Sequence, residues 1–258
     1  MRSHRSVLSV LGVLCLVAAC SSDRDGTSTT ATQPSTTQPS TTVPATTVPV
    51  VTDPGTTVPA TTEPATTVPA GLEQPAIWPA ADVVFTTPEE AAADFVTVAL
   101  GVPATLGEFR QGDSRSGEIE VLLAPEGGTG EPVFRSLLLM RQLGPDNGWF
   151  VLASINEFAT ISVPESGSTV PAAPINVEGV ARGFEATIVL EAFVAGSDTL
   201  LDQQVFMAGN FDSAEPYLEA IDLTDAAPGD IVVLLVRGSV GLETDPGEFS
   251  AIPVVIEG

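Results

Sequence analysis

The sequence predicts an α+β unit, one helix on an antiparallel meander, followed by an all-β sandwich, both carried behind a disordered N-terminal stalk. Three observations lead to this reading. A five-residue unit, Thr-Thr-x-Pro-x, recurs from about Thr36 to Ala70 and offers nothing to fold on. A full set of helix signals surrounds "TTPEEAAADFVTVALG" at residues 86–101. Beyond residue 161, about seven short apolar segments bounded by Gly, Pro, Asn or Asp fill about 95 residues, which is sandwich spacing.

The chain opens on "MRSHRSVLSVLGVLCLVAAC", with Arg2 and Arg5 ahead of an apolar run over Val7–Ala19. That run is too short to span a bilayer and has the layout of a secretory signal over residues 1–19. Its end, Val17-Ala18-Ala19-Cys20 followed by polar "SSDRDG", resembles the lipobox of a bacterial lipoprotein signal. The resemblance implies cleavage before Cys20 and lipidation of its thiol by a diacylglycerol carrying palmitate-type chains. It also implies a lipid-anchored place on the extracytoplasmic side of the cell membrane. Two acyl chains suffice for stable anchoring. An ordinary signal with an incidental cysteine is the other reading. No adjacent arginine pair marks a twin-arginine signal, so export in the unfolded state is expected.

Residues 20–79 are expected to comprise the lipidated cysteine and the Thr/Pro-rich stalk. Each Pro lacks an amide donor and fixes φ, so neither helix nor ladder runs through the repeat. Scattered Val and Ala cannot offset the entropy of ordering it. The repeat reads as a spacer, either unmodified or carrying O-glycans. From Ser21 to Gln74 it would reach on the order of 160 Å as polyproline II, or about 40 Å as a flexible coil.

Cys15 leaves with the signal and Cys20 carries lipid, so no disulfide supports the folded part. Seven arginines, no lysine and 33 acids follow Cys20, a balance of −26. Such a surface repels phosphates, which argues against nucleic acid and against polybasic membrane contact.

In the unit over residues 80–160, Thr87 is placed to cap the helix, Pro88 takes its first position and Glu90 completes a capping box. Gly101 is placed to end it. Phe95, Val98, Ala99 and Val102 recur at helical spacing and are expected to pack. In "GEIEVLLA", Ile119, Val121 and Leu123 share one face, Glu118 and Glu120 the other. "VFRSLLLMRQL" and "WFVLASI" flank the turn signal "GPDNG", and "FATISV" is expected to add a fourth strand. Trp149 is expected in the core. Trp78 either packs on this unit or lies exposed.

The unit over residues 161–258 offers "INVEGVA", "EATIVLEAFVA", "LLDQQVFMA", "YLEAIDLT", "DIVVLLVRG" and "FSAIPVVIE" as strands. "IVVLLV" is apolar throughout and should be central. Pro253 cannot donate to a ladder, so the last strand is expected at an edge. The opening of this unit, from Ile161 to Phe193, is similar to the immunoglobulin-like domain of bacterial spore germination proteins, and the resemblance runs on, more weakly, to the C-terminus over about 95 residues. Val177, Gly179 and Ala181 fall on that family's V-x-G-x-A strand, and Phe184 and Glu185 on its Phe-Glu pair. The resemblance implies an immunoglobulin-like β-sandwich in an envelope setting. It brings no catalytic or ligand-binding residues with it and does not by itself imply a role in germination. Phe184 is expected in the core, and Glu185 in a hydrogen bond to the turn or in partner docking.

His4, the one histidine, lies in the signal. The remainder therefore offers no Ser-His-Asp triad, Cys-His pair or histidine ligand for zinc. Without lysine there is no Ser-Lys dyad, Schiff base or phosphate-loop lysine. Carboxylate chemistry of the glycosidase kind survives, with Glu118 and Glu120 as its pair, although alternating strand acids ordinarily face water. Asp222, Asp225, Asp230, Glu243, Asp245 and Glu248 would suit calcium if they crowded at one end of the sandwich. Arg110, Arg115, Arg135, Arg141, Arg182 and Arg237 are expected to pair with acids. No catalytic, cofactor-binding or metal residue is assigned, and no cofactor. The expected function is a cell-envelope lipoprotein with a non-catalytic binding or scaffolding role. Its expected contacts are the membrane, through the anchor, and an envelope protein or glycan. The alternative is a carboxylate-dependent enzyme acting on cell-wall glycans. A transporter substrate-binding protein is disfavoured because the alternating βαβ pattern is missing.

Replacing Cys20 with Ala in the full chain is expected to block acylation and shift the protein from the membrane fraction to the soluble one. Fractionation with mass spectrometry of the N-terminal peptide checks this. An unacylated wild-type N-terminus with unchanged fractionation would exclude the anchor.

Overall fold

The computed structural model describes residues 72–258; the signal, Cys20 and the repeat through residue 71 lie outside the described residues. The sequence reading extends the stalk to residue 79, but folded structure begins before that. Ala76, Ile77 and Trp78 are all buried. Val151 N donates to Trp78 O at 2.7 Å, Ile77 N donates to Val151 O at 2.9 Å, and Trp78 Nε1 donates to Asp94 Oδ2 at 2.8 Å. Trp78 supplies the large apolar body that the repeat lacks, with a polar edge that finds a partner.

Helix α1 (Pro88–Asp94) continues as a wider turn over Phe95–Ala99. Thr87 caps it, and Thr87 and Glu90 satisfy each other's backbone donors as a capping box. Leu100 N donates to Phe95 O, five residues back, and Gly101 ends the element at φ +69°. The widening rotates the C-terminal face. Val96 is fully buried in consequence, whereas Val98, expected to pack, is 42% exposed.

Strands β1 (Arg110–Gln111), β2 (Ser116–Leu123), β3 (Val133–Leu143) and β4 (Gly148–Ile155) form the meander. They are followed by β5 (Thr169–Val170), β6 (Pro174–Ala181), β7 (Thr187–Val194), β8 (Leu200–Met207), β9 (Glu215–Asp222), β10 (Ile231–Gly238) and β11 (Phe249–Ile256). One nine-stranded sheet runs β1-β2-β3-β4-β11-β10-β7-β8, with β5 beside β11, and β6 pairs β9 in a second sheet. The large sheet is continuous across residues 160 and 161, because β4 meets β11 at Ser154 and Ala251.

Alternation along β10 and β11 sends side chains into two cores. Val232, Leu234 and Val236, with Ile252, Val254 and Ile256, meet Val177, Tyr217 and Ile221 of the β6–β9 layer. Val233, Leu235, Phe249 and Ala251 face the other way and join Trp78, Phe95, Ile119, Leu138 and Val151. The Phe95 ring lies between Trp78 and Phe249, with centroids 6.2 and 6.5 Å away. "IVVLLV" is thus central, as a strand apolar on both faces must be.

Two expectations are corrected. The strand of Pro253 is internal, not an edge. Pro253 pairs Val233 across β10, but its backbone polar groups point to the opposite side, where Gly167 N donates to its carbonyl at 2.7 Å. The missing donor falls between β4 and β5, which cover successive halves of β11, so no ladder bond to β10 is lost. The "FATISV" segment does not extend the meander. It runs beside β6, with Thr160 N donating to Val180 O at 2.8 Å and Ser162 N to Glu178 O at 2.7 Å.

Gly179 permits that approach, since a Cβ there would lie 1.9 Å from Thr160 O. Tyr217 Oη donates to the same carbonyl at 2.9 Å, and burial pushes its phenol above the usual tyrosine range. Gly179→Ala is expected to destabilise the protein by about 3 kcal/mol, because backbone rather than a side chain must yield. Tyr217→Phe, which removes one hydrogen bond, is expected to cost about 1 kcal/mol. Urea unfolding of both variants checks the order. Equal stability of Gly179→Ala and wild type would refute this packing.

Candidate functional site

Register places several chain reversals at one end of the sandwich. Ala181 at the end of β6 pairs Glu215 at the start of β9, and Thr187 at the start of β7 pairs Met207 at the end of β8. Arg237, near the end of β10, pairs Phe249 at the start of β11. The segment after β4 arrives at the same end, so loops 156–163, 182–186, 208–214 and 239–248 converge.

Backbone bonds lock their bases together. Gly183 N donates to Gly209 O at 2.9 Å, Ser239 N to Thr187 O at 2.9 Å and Phe184 N to Ser239 O at 2.6 Å. The chains approach too closely for a side chain: a Cβ on Gly238 would lie 2.0 Å from Arg182 O, and one on Gly209 2.1 Å from Ser213 O.

Two of the scarce cations, Arg135 and Arg182, brace the same loops. Five of the six arginines among the described residues pair with an acid. Arg182 donates from Nε and Nη2 to Glu248, both at 2.7 Å, and from Nη1 to Phe211 O at 3.3 Å. Its guanidinium carbon stands 3.4 Å from the centroid of Phe158. The bonds to Glu248 push its pKa up further, against the effect of burial. Arg135, on β3, grips Asp245 with two bonds of 2.8 and 2.6 Å. The Asp245 side chain is 1% exposed and also accepts from Gly247 N at 2.9 Å. Arg237 donates to Glu191 at 2.9 Å, and Gln203 donates to the same oxygen at 2.7 Å.

On this fixed base three apolar side chains stand out in solvent: Phe184 at 44%, Phe211 at 51% and Leu242 at 49% exposure. The two rings lie 6.3 Å apart, tilted by 46°. Phe184 was expected in the core. The turn explains its place: Glu185 and Ala186 take φ of +52° and +59°, and this left-handed pair carries Phe184 outward before strand alternation starts at Thr187. Two non-Gly residues in that region cost about 1 kcal/mol or more each. Glu185 itself is exposed, as are Asp212 and Glu243. Beside the loops lies a cleft of about 430 Å³, lined by Leu100, Val102, Val189, Arg237, Leu242 and Asp245 among others.

The other candidates are not brought together. Asp222, Asp225 and Asp230 lie before β10, and Glu243, Asp245 and Glu248 after it. A strand of that length separates the groups by roughly 23 Å. Asp245 and Glu248 are committed to arginines, while Asp222 and Asp230 accept the turn donors Thr224 N and Ala227 N. Among the described residues no group of three His, Cys, Asp or Glu could hold a metal ion. Glu118 and Glu120 lie on the strand next to the β1 edge, where Arg110 donates to Glu120 at 2.8 Å. Trp149 is buried against Phe109. Cys20 lies outside the described residues. Phe211 and Leu242 were missed, although a Phe set between Asn210 and Asp212 in the polar turn "AGNFDSAEP" was a usable signal.

Residues 158–240 match the family model for the immunoglobulin-like domain of bacterial spore germination. The domain inferred from Val177, Gly179, Ala181, Phe184 and Glu185 is therefore present over that stretch, under a third of the chain. The match takes in the segment beside β6 and ends before β11. Comparison with curated proteins and with solved structures gives no match. Among the described residues no helix is long and apolar enough to cross a membrane.

Removing one partner of a buried pair strands the other charge. Arg135→Met is expected to lower stability by about 3 kcal/mol, and Arg135→Met/Asp245→Leu to recover most of it. Denaturant titration of the single and double variants checks this. Identical losses in both would mean that the pair braces nothing.

Proposed function

We propose that the protein is a lipid-anchored envelope protein whose loop end captures a partner without catalysis, the Thr/Pro segment acting as a spacer from the membrane. One observation carries this reading: Phe184 and Phe211 stand 6.3 Å apart in solvent, with Leu242 exposed on a neighbouring loop, and the bases of these loops are fixed by backbone bonds and two ion pairs. An apolar patch rimmed by polar groups marks an interaction site, and aromatic side chains are its usual anchors. Loops already held in place lose little freedom on binding. A non-catalytic role suits the immunoglobulin-like domain at residues 158–240 and a chain whose one histidine and two cysteines lie at or before residue 20. The Val17–Cys20 motif supports the anchor.

The test is photo-crosslinking in the native host, with a photoreactive residue placed in the full chain at Phe211, at Leu242, or at the exposed Asp225 of the opposite end. A defined adduct is expected from the first two positions and none from Asp225. Equal labelling from both ends, or none from Phe211 and Leu242, would overturn the reading.

A further inference from the structure

We infer that the loop end takes a basic segment of a protein partner, its arginine or lysine side chains seated on Phe184 and Phe211 and met by Glu185, Asp212 and Glu243. This rests on the binding role proposed above and names the chemistry of its partner.

The protein's own architecture contains the contact. At this end the Arg182 guanidinium stands 3.4 Å from the Phe158 centroid while Glu248 grips its edge with two bonds of 2.7 Å. An aromatic face and a carboxylate together hold a planar cation. Beside that occupied pair lies an open one. Phe184 and Phe211 are about half exposed, and each is followed in sequence by an exposed carboxylate, Glu185 and Asp212. Glu243, next in sequence to the exposed Leu242, adds an exposed acid on the neighbouring loop.

Charge selects the occupant. The described residues contain 29 acids and six arginines, and five of those arginines are already paired. The described residues have almost no cation to spare for this rim. An anionic partner meets repulsion over the whole surface. A neutral glycan can stack on the rings but gains nothing from the surrounding charge. A basic segment gains from the rings, the rim and the long-range field together.

The test measures binding of a fluorescent peptide, with arginines spaced by Gly and Ser, to the full chain in detergent by anisotropy. The peptide with citrulline in place of arginine is the first control. Phe184→Ser/Phe211→Ser, which leaves charge unchanged, is expected to weaken binding about tenfold. Glu185→Gln/Asp212→Asn/Glu243→Gln is expected to weaken it comparably and to flatten its salt dependence. Asp198→Asn/Asp225→Asn/Glu257→Gln neutralises as many exposed acids at the other end and should change binding by less than about twofold. Thermal unfolding confirms that each variant is folded. No binding, equal binding of the citrulline peptide, or equal loss from both triple variants would overturn the inference. So would binding of chitotetraose that depends on the rings and not on the acids. Photo-crosslinking from Leu242 separates the two readings: a cellular adduct that persists in the loop-end triple variant keeps the binding role and removes the basic partner.

Discussion

Val232, Leu234 and Val236 point to one side of β10, Val233 and Leu235 to the other, and all five are fully buried. Every residue along β11, from Phe249 to Ile256, is likewise buried. Two strands that are apolar on both faces need two covers. The β6–β9 layer supplies one; helix α1 and the meander supply the other. Uncovering Val233, Leu235 and Phe249 alone would expose on the order of 6 kcal/mol of buried side chain, comparable to the whole stability of an ordinary domain. The meander therefore closes a core that the stretch matching the family, residues 158–240, leaves open on one side. β11, which zips β10 to β4, lies beyond that stretch as well.

With no cysteine after Cys20 and only seven arginines there, the placement of each cation carries structural weight. Arg135 reaches across 110 residues to Asp245 and Arg182 across 66 to Glu248. Both bonds cross between elements instead of decorating one. Such pairs add little net stability, because desolvation offsets their attraction, but breaking one is costly and their geometry is specific. Here both hold the loop between β10 and β11, on which Leu242 and Glu243 stand. The same pairs that position the loop remove the arginines from competition for the exposed acids around Phe184 and Phe211.

Local chemistry was legible in the sequence and long-range pairing was not. Thr87, Pro88 and Glu90 act within one helical turn, so the cap could be read directly. The apolar run of β10 specified burial on both faces whatever covered them. In the V-x-G-x-A strand, Val177 and Ala181 are fully buried and Gly179 lies against Thr160, so each motif residue has a packing reason. Pro253 was misread because sequence shows that a donor is missing but not which side of the strand it would face. Phe184 was misread because hydrophobicity argues for burial, while the left-handed turn at Glu185 and Ala186 is set by bonds from Phe184 N and Ala186 N to the carbonyls of Ser239 and Gly183. The acidic candidates for calcium failed on topology: one strand places the two groups at opposite ends. The loop-end site itself emerged only once register had brought four distant segments together.

The first described residues join the fold at the end away from the site. Leu72 and Ala76 lie near Val194, Gly229 and Ile231, and Gly196 N donates to Ile77 O at 3.3 Å. Those contacts are at the end of β7 and the start of β10, which is the end of the sandwich opposite the loops carrying Phe184, Phe211 and Leu242. Entry and exposed rings therefore lie at opposite ends of the sandwich, and residues 72–78 leave the loop end uncovered.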